Sequence, residues 1–218
     1  MRVYSFGGTA TSKKTIYLRI LSGSTEIAIN HDTKLSDIAD SKWHHYAITA
    51  KTHGSETVSN LYVDGIHRSQ LTDSDTINAI AGTAVASIGG LVGPLTGSEN
   101  IGRGWGNIVS ASYDEFRYWK TARTAEQIGR FYKDQIGGGT NTDNFKYNKE
   151  TNPVDLGVYY KFNEGITEVA STDSTILDYS GRISNGTYVG YDSTSRSTGS
   201  AIILSKAAAR EFKDPIIY

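Results

Sequence analysis

The feature that most constrains the fold of this chain is a series of predicted strands joined by short turns, which begins with an alternating pattern at residues 43–50. Residues 43–50 alternate between two faces, and both faces carry apolar side chains, as in a strand inside a β-sandwich. A polar turn at 51–55 leads into a predicted return strand at 57–64. Asp64-Gly65 then predicts a hairpin into a partner strand at 66–71, because Gly adopts a positive φ at little cost. The pattern therefore favours antiparallel sheets.

The composition agrees with an all-β protein of many short strands. The 218 residues include 14 Tyr, 23 Gly and only 3 Pro, a mixture that suits pleated surfaces joined by turns. This length is enough for one large β-domain with a real core. The net charge of -1 argues against a general nucleic-acid binder, which needs a basic face.

Several classes of protein are excluded by what the sequence lacks. It has no Cys, so disulfides and thiolate metal sites are ruled out. No apolar run reaches the roughly 18 residues that a membrane span requires. Met1 is followed at once by a polar, Gly-rich stretch, so no signal peptide is predicted.

Further strands are predicted from alternation and turn residues. Residues 15–21 and 25–29 are expected to form a hairpin through Gly23-Ser24, and Asn185-Gly186 is a second hairpin signal. A long Gly-rich loop is predicted at 91–107, and loops of that length are often functional. The other predicted strands lie at 84–90, 108–119, 156–162, 187–191 and 200–204.

One short helix is predicted after the strand at 108–119. Thr124 and Gln127 form a capping-box pattern, and Ile128 and Phe131 follow at helical spacing. The helix is expected to end by residues 137–139, which are three consecutive Gly. The stretch 137–153 is predicted to be a linker or a long surface loop.

Four phrases in the chain resemble a laminin G-like domain of the concanavalin A-like lectin class. They are WHHYAI at 43–48, LYVDG at 61–65, DEFRYW at 114–119, and YYKFNEG at 159–165 followed by DYSG at 178–181. Any one of them is a weak signal, but the first three agree with the family in order and in rough spacing. The resemblance implies an all-β fold, a two-sheet antiparallel jelly-roll sandwich with one short helix.

The chain departs from the family in the order of its phrases. The family opens with a strand like 158–162 and an Asp-x-Ser-Gly turn, which here follow the closing helix. Either the chain is a circular permutant that completes its own sandwich, or it is a slice of a longer protein. Unpaired edges and exposed core would destabilise a slice, which favours one sandwich with permuted strand order. The expected parts are the main sandwich at 1–136, the linker at 137–153, strands completing the sandwich (or beginning a second one) at 154–204, and an extension at 205–218.

The resemblance also implies a function. The segment 156–218 is similar to parts of virion structural proteins of tailed bacteriophages that carry such domains. This implies a non-catalytic structural or interaction module of a capsid, tail or decoration protein, located on a virion or an extracellular surface. Its partners would be other virion or surface proteins, or glycans. The alternative is a carbohydrate-binding module of a secreted or cell-surface bacterial protein.

An enzymatic role is disfavoured by the spacing of the carboxylates. Jelly-roll glycosidases of this class use two carboxylates on one strand, which requires a spacing of two or four residues so that both face the cleft. No Glu-x-Asp-x-Glu or similar pattern is present, and the adjacent Asp114 and Glu115 point to opposite faces of a strand. A Gly-x-Ser-x-Gly turn for a nucleophilic serine is also missing. The chain is therefore predicted not to be an enzyme.

Calcium is the metal that sandwiches of this class often hold, through carboxylate and carbonyl oxygens. Asp114 and Asp178 are the best candidate ligands. The alternative, which we favour, is that Asp178 caps its own turn and Asp114 caps a strand end or pairs with Arg117. The adjacent His44 and His45 face opposite ways on a strand, so they are predicted to be partly buried structural residues rather than zinc ligands.

A sugar site needs an aromatic platform and polar groups that fix hydroxyls. The candidate platform is Trp105, which lies between two Gly in the predicted loop, and its candidate polar neighbours are Asn100, Arg103 and Asn107. The alternative is that Trp105 folds back onto the edge of the sandwich. Trp43 and Trp119 are assigned to the core.

Overall fold

A computed structural model describes two compact units, Met1–Ser112 and Tyr113–Tyr218. The described residues are 2–5, 13–22, 25–34, 40–77, 88, 112–133, 135–136, 156–188 and 190–196. The predicted loop at 91–107, linker at 137–153, strand at 200–204 and extension at 205–218 lie outside them, and so does all of the predicted strand at 84–90 except Ile88.

Unit 1 contains two three-stranded antiparallel sheets. The first has the order β1-β2-β3, formed by Arg2–Ser5, Lys13–Ser22 and Thr25–Lys34. The second has the order β4-β5-β6, formed by Tyr46–His53, Glu56–Val63 and Ile66–Asp73. The antiparallel pairing of β2 with β3 and of β5 with β6 confirms the first two of the three predicted hairpins. The strand predicted from residue 43 begins only at Tyr46, so that prediction was wrong at its start.

The core of unit 1 joins its two sheets. Leu18, Ile20, Ile27 and Ile29 of the first sheet form a buried cluster, and apolar residues of the second sheet such as Ile48 pack against it. These core residues alternate along each strand, as the pleat requires. Two antiparallel sheets that share an apolar core form a β-sandwich.

Unit 2 is built from short elements. Its strands and helices are β7 (Phe116–Trp119), α1 (Ala125–Phe131), β8 (Leu156–Tyr160), α2 (Ala170–Asp173), β9 (Thr175–Ile176) and β10 (Gly186–Thr187). Strand β7 pairs antiparallel with β8, and β9 pairs with β10. Among the described residues of the strand predicted at 108–119, only Phe116–Trp119 are in a strand, and of the strand predicted at 187–191 only Thr187 is. Gly186 lies in β10 and pairs with Ile176, so the turn predicted at Asn185-Gly186 was wrong.

The prediction of a single helix was half correct. Helix α1 begins after Thr124 with both hydrogen bonds of the predicted capping box, so this helix is confirmed. The second helix, α2, was missed because its four residues are too few to show helical periodicity. Within the described part of the chain, neither helix has the length or apolar character to cross a membrane.

The core of unit 2 lies against β8. Ile136, Leu156 and Tyr159 form the buried cluster, and Trp119 and Tyr179 pack against it. Trp119 is therefore a core-contacting residue, as predicted. The strand of the third phrase and the strand of the fourth phrase, which are separated by the α1 segment and the predicted linker, lie side by side in one sheet.

Candidate functional site

The most concentrated polar arrangement in unit 1 lies at the β5–β6 turn. His44 Nδ1 is 2.7 Å from Asp64 Oδ2, and His44 Nε2 is 2.9 Å from Asp40 Oδ1. Asp64 also accepts a hydrogen bond from the His45 backbone N–H through Oδ1 at 2.9 Å. We name the three residues Asp40, His44 and Asp64 the DHD cluster.

The charges of the DHD cluster stabilise one another. The hydrogen bond from His44 is the largest cause that lowers the pKa of Asp40, to about 2. Burial alone would raise the pKa of Asp64, but the hydrogen bonds from His44 and from the His45 N–H outweigh it and lower that pKa. Hydrogen bonding to Asp64, and then to Asp40, raises the pKa of His44. The predicted partial burial of His44 and His45 is confirmed.

Exposed aromatic side chains stand next to the DHD cluster in the sequence. Trp43 is 50% exposed and Tyr46 is 40% exposed. The assignment of Trp43 to the core was therefore wrong, because the chain does not enter the strand until Tyr46 and the strand alternation does not apply to Trp43. The Tyr46 ring lies near the His44 ring, with centroids 6.3 Å apart.

Another histidine of unit 1, His31, is fully buried, unlike His44. His31 on β3 lies 2.6 Å from Ser69 Oγ and 3.0 Å from Ser59 Oγ, so both ring nitrogens have hydroxyl partners on the other sheet. Burial, with a smaller effect from His67, lowers the pKa of His31. Neutral hydroxyl partners suit a neutral imidazole, and we assign this residue a structural role in the core.

Asp178 occupies the turn for which it was predicted. Its Oδ1 accepts hydrogen bonds from the backbone N–H groups of Tyr159 and Ser180, at 3.0 and 2.9 Å. Its Oδ2 accepts from the Ser184 N–H at 2.9 Å and from the Ser180 hydroxyl at 2.8 Å. Although burial acts in the opposite direction, these hydrogen bonds lower the pKa of Asp178. Asp178 therefore caps its turn and anchors the turn to β8.

Glu115, which follows Asp114 in the sequence and precedes β7, contacts β8 through the Tyr159 hydroxyl. Glu115 Oε2 accepts hydrogen bonds from the Tyr159 hydroxyl at 2.5 Å and from Arg117 Nη2 at 3.0 Å, and Oε1 accepts from Gln135 Nε2 at 2.8 Å. Asp114 accepts from the Glu115 N–H at 2.9 Å, so it caps the start of the strand. Arg117 thus pairs with Glu115, whereas Asp114 was the partner considered from the sequence.

The sequence offered little sign of the DHD cluster or of the Glu115 contacts. The spacing of four residues between Asp40 and His44 was the available signal, but His44 was weighed only as a strand residue. Among the described residues, no three His, Cys, Asp or Glu side chains are grouped so that they could hold a metal ion. Calcium at Asp114 and Asp178 stays a prediction, as does the sugar site, since Trp105, Asn100, Arg103 and Asn107 lie outside the described residues.

The two antiparallel sheets of unit 1 and the apolar core that they share form a β-sandwich. A family model described as the concanavalin A-like lectin/glucanases superfamily, of the laminin G kind, matches residues 4–129. The chain belongs to this family. The match contains the first three phrases and ends before the fourth. No curated protein and no solved structure gave a significant match to the chain.

Proposed function

We propose that this protein is a non-catalytic recognition module that binds glycans or protein partners. The proposal rests on membership of a lectin-type family. It also rests on the hydrogen bonds that three carboxylates of unit 2 accept from other groups of the same unit. The superfamily also contains glucanases, so the fold by itself does not separate binding from hydrolysis. The carboxylates are the groups on which that distinction rests.

Three acids of unit 2 are used as internal acceptors. Glu115 holds Tyr159 and Arg117, and Asp178 holds the backbone of its turn. Glu164 accepts from the Leu177 N–H at 2.9 Å and pairs with Arg196 at 3.1 Å. A glycosidase needs one carboxylic acid and one carboxylate turned toward the same sugar bond. These three acids already accept hydrogen bonds from groups within unit 2, so they are poorly suited to act on a sugar bond.

The glycan-binding surface in this proposal is the Gly-rich stretch that contains Trp105. An indole ring provides the apolar platform on which a sugar stacks, and the polar side chains of Asn100, Arg103 and Asn107 provide partners for hydroxyls. The support comes from the residue types and their spacing in a chain of a lectin-type family.

The proposed setting is the surface of a virus particle or of a bacterial cell. The support is the resemblance of the phrases in segment 156–218 to those of virion structural proteins of tailed bacteriophages. Mass spectrometry of purified virions from a host that produces the protein tests this setting. Detection at a stoichiometric level supports the virion role, and absence from the particles contradicts it.

The binding function is tested with a glycan array. We expect the native protein to bind a subset of glycans and Trp105→Ala to lose that binding. Trp43→Ala is the matched control, because it removes a half-exposed Trp from a different part of the chain. Equal loss in both variants, or no binding by the native protein, counts against the proposed glycan surface.

A further inference from the structure

The two hydrogen bonds of His44 define its charge state. Each ring nitrogen faces a different carboxylate oxygen, Asp64 Oδ2 at 2.7 Å and Asp40 Oδ1 at 2.9 Å. An ionised carboxylate only accepts hydrogen bonds, whereas a neutral imidazole donates through only one of its nitrogens. Both contacts are hydrogen bonds at the same time only if His44 is a doubly protonated imidazolium. The side chain of His44 is 16% exposed, so water provides little alternative solvation.

We propose that His44 is a pH-sensitive clamp, which as an imidazolium ties Asp40 to the Asp64 turn and as a neutral ring releases one of these two carboxylates. The inference does not depend on glycan binding. It gives the chain a conformational response to pH that neither its fold nor its family membership assigns.

The clamp acts on a turn that is already tightly held. Asp64 has a positive φ of 52°, and its backbone N–H donates to the His45 carbonyl at 2.9 Å. Its carboxylate is divided between the His44 ring and the His45 N–H. The segment that precedes β4 is thus fastened to the β5–β6 turn by both backbone and side chain. When His44 loses its proton, the contact that is released is the one with Asp40, so the change falls on the segment at Asp40, while the Asp64 turn stays fastened through the His45 N–H.

The other titratable groups around the clamp set its response. Lys42 Nζ lies 3.3 Å from Asp40 Oδ2, so Asp40 keeps a cationic partner after His44 loses its proton. Tyr46 lies beside the His44 ring, and burial raises the pKa of Tyr46 to about 12, so its hydroxyl stays neutral through the relevant range. His45 contributes its backbone groups to Asp64. We expect Asp64 to be the carboxylate that retains the neutral ring, because the contact at Nδ1 is the shorter of the two.

The direction of the pH dependence follows from the raised pKa of His44. Its value in the unfolded chain is close to 6.5, and hydrogen bonding to Asp64 and Asp40 raises it in the folded protein. The folded state therefore holds the proton more tightly than the unfolded state does. The stabilisation is fully present below pH 6.5 and is lost as the pH rises through the folded pKa of His44.

The direct test is an NMR titration of the histidine rings of the native protein. We expect His44 to titrate with a midpoint above 6.5 and to show both ring nitrogens protonated below that midpoint. Asp40→Asn removes one carboxylate and leaves the Asp64 turn in place, so it should lower that midpoint. A neutral His44 tautomer at or below pH 6.5, or a midpoint that Asp40→Asn does not lower, overturns the proposal.

Unfolding equilibria provide a second test that does not depend on spectral assignment. Each unit by which the His44 midpoint exceeds 6.5 is expected to reduce the folded-to-unfolded ratio by up to about tenfold between the acid and alkaline sides. His44→Gln should abolish this part of the alkaline loss. The control is His53→Gln, which removes an exposed strand histidine outside the DHD cluster. An alkaline loss that is the same in His44→Gln and the native protein contradicts the clamp.

Discussion

At the scale of single residues, hydrogen bonds from polar side chains hold together parts of unit 2 that are far apart in the sequence. Asp178 reaches the backbone of Tyr159, Glu115 reaches the Tyr159 hydroxyl, and both acids thereby hold β8. The local half of this could be predicted, since the Asx-type turn at Asp178 was visible in DYSG. The other half could not, because a contact across 19 or 44 residues leaves no periodic signal in a sequence.

Removal of the Asp178 carboxylate should destabilise unit 2. Asp178→Ala leaves three backbone N–H groups and a hydroxyl without their acceptor, so we expect a loss of about 2–3 kcal/mol in the free energy of unfolding. Chemical denaturation measures it. Asp192→Ala is the matched control, because Asp192 caps an exposed turn through Thr194 and its loss should have little effect. If the two variants lose equal stability, the anchoring role of Asp178 is wrong.

The same residue bears on the calcium prediction, which stays a prediction. The four hydrogen bonds to Asp178 use both of its oxygens, which favours the capping role over the metal role.

At the scale of elements, the sequence predicted those whose signals are local. Helix α1 was found because Thr124 and Gln127 lie three residues apart. Helix α2 was missed because its four residues, Ala-Ser-Thr-Asp, are too few to show apolar spacing. Trp43 was misplaced for a related reason, since alternation cannot show where the backbone enters a strand. The start of β4 follows the contact between His44 and Asp64, which are 20 residues apart and leave no local pattern in the sequence.

The capping box predicts a measurable contribution to α1. Thr124→Ala removes the side-chain acceptor for the Gln127 N–H, which should cost about 1 kcal/mol of stability. Thr121→Ala is the matched control, because Thr121 is exposed and precedes the helix. Thermal or chemical unfolding compares the two variants. Equal stability of Thr124→Ala and the control would falsify the proposed contribution of the cap.

The pairing of β7 with β8 requires a small residue at position 157. A Cβ on Gly157 would lie 2.8 Å from Tyr118 Cδ1 and 3.3 Å from the Tyr118 carbonyl oxygen. We expect Gly157→Ala to destabilise the protein by about 1–3 kcal/mol, as overpacking does. Gly165→Ala is the control, since its Cβ would meet nothing within 4 Å. Amide hydrogen exchange should show faster exchange in β7 and β8 for Gly157→Ala alone.

At the scale of the whole molecule, the order of the phrases remains the unusual property. The family match ends at residue 129, yet β7, which lies inside it, pairs with β8, which lies beyond it. The residues after 129 therefore complete a sheet that the matched segment begins. The fold class could be predicted from the phrases, because each of the four contains part of a strand. Whether both units belong to one sandwich stays a prediction.

We propose that this lectin-type protein binds a partner and does not catalyse a reaction on it. A pull-down on insoluble polysaccharides tests this proposal most directly. Protein retained in the pellet and reducing sugar released into the supernatant are measured in the same tube. We predict retention on at least one polysaccharide, with release no greater than that of a heat-denatured control. Release of sugar above this control contradicts the claim of no catalysis, and failure to bind any polysaccharide contradicts glycan recognition.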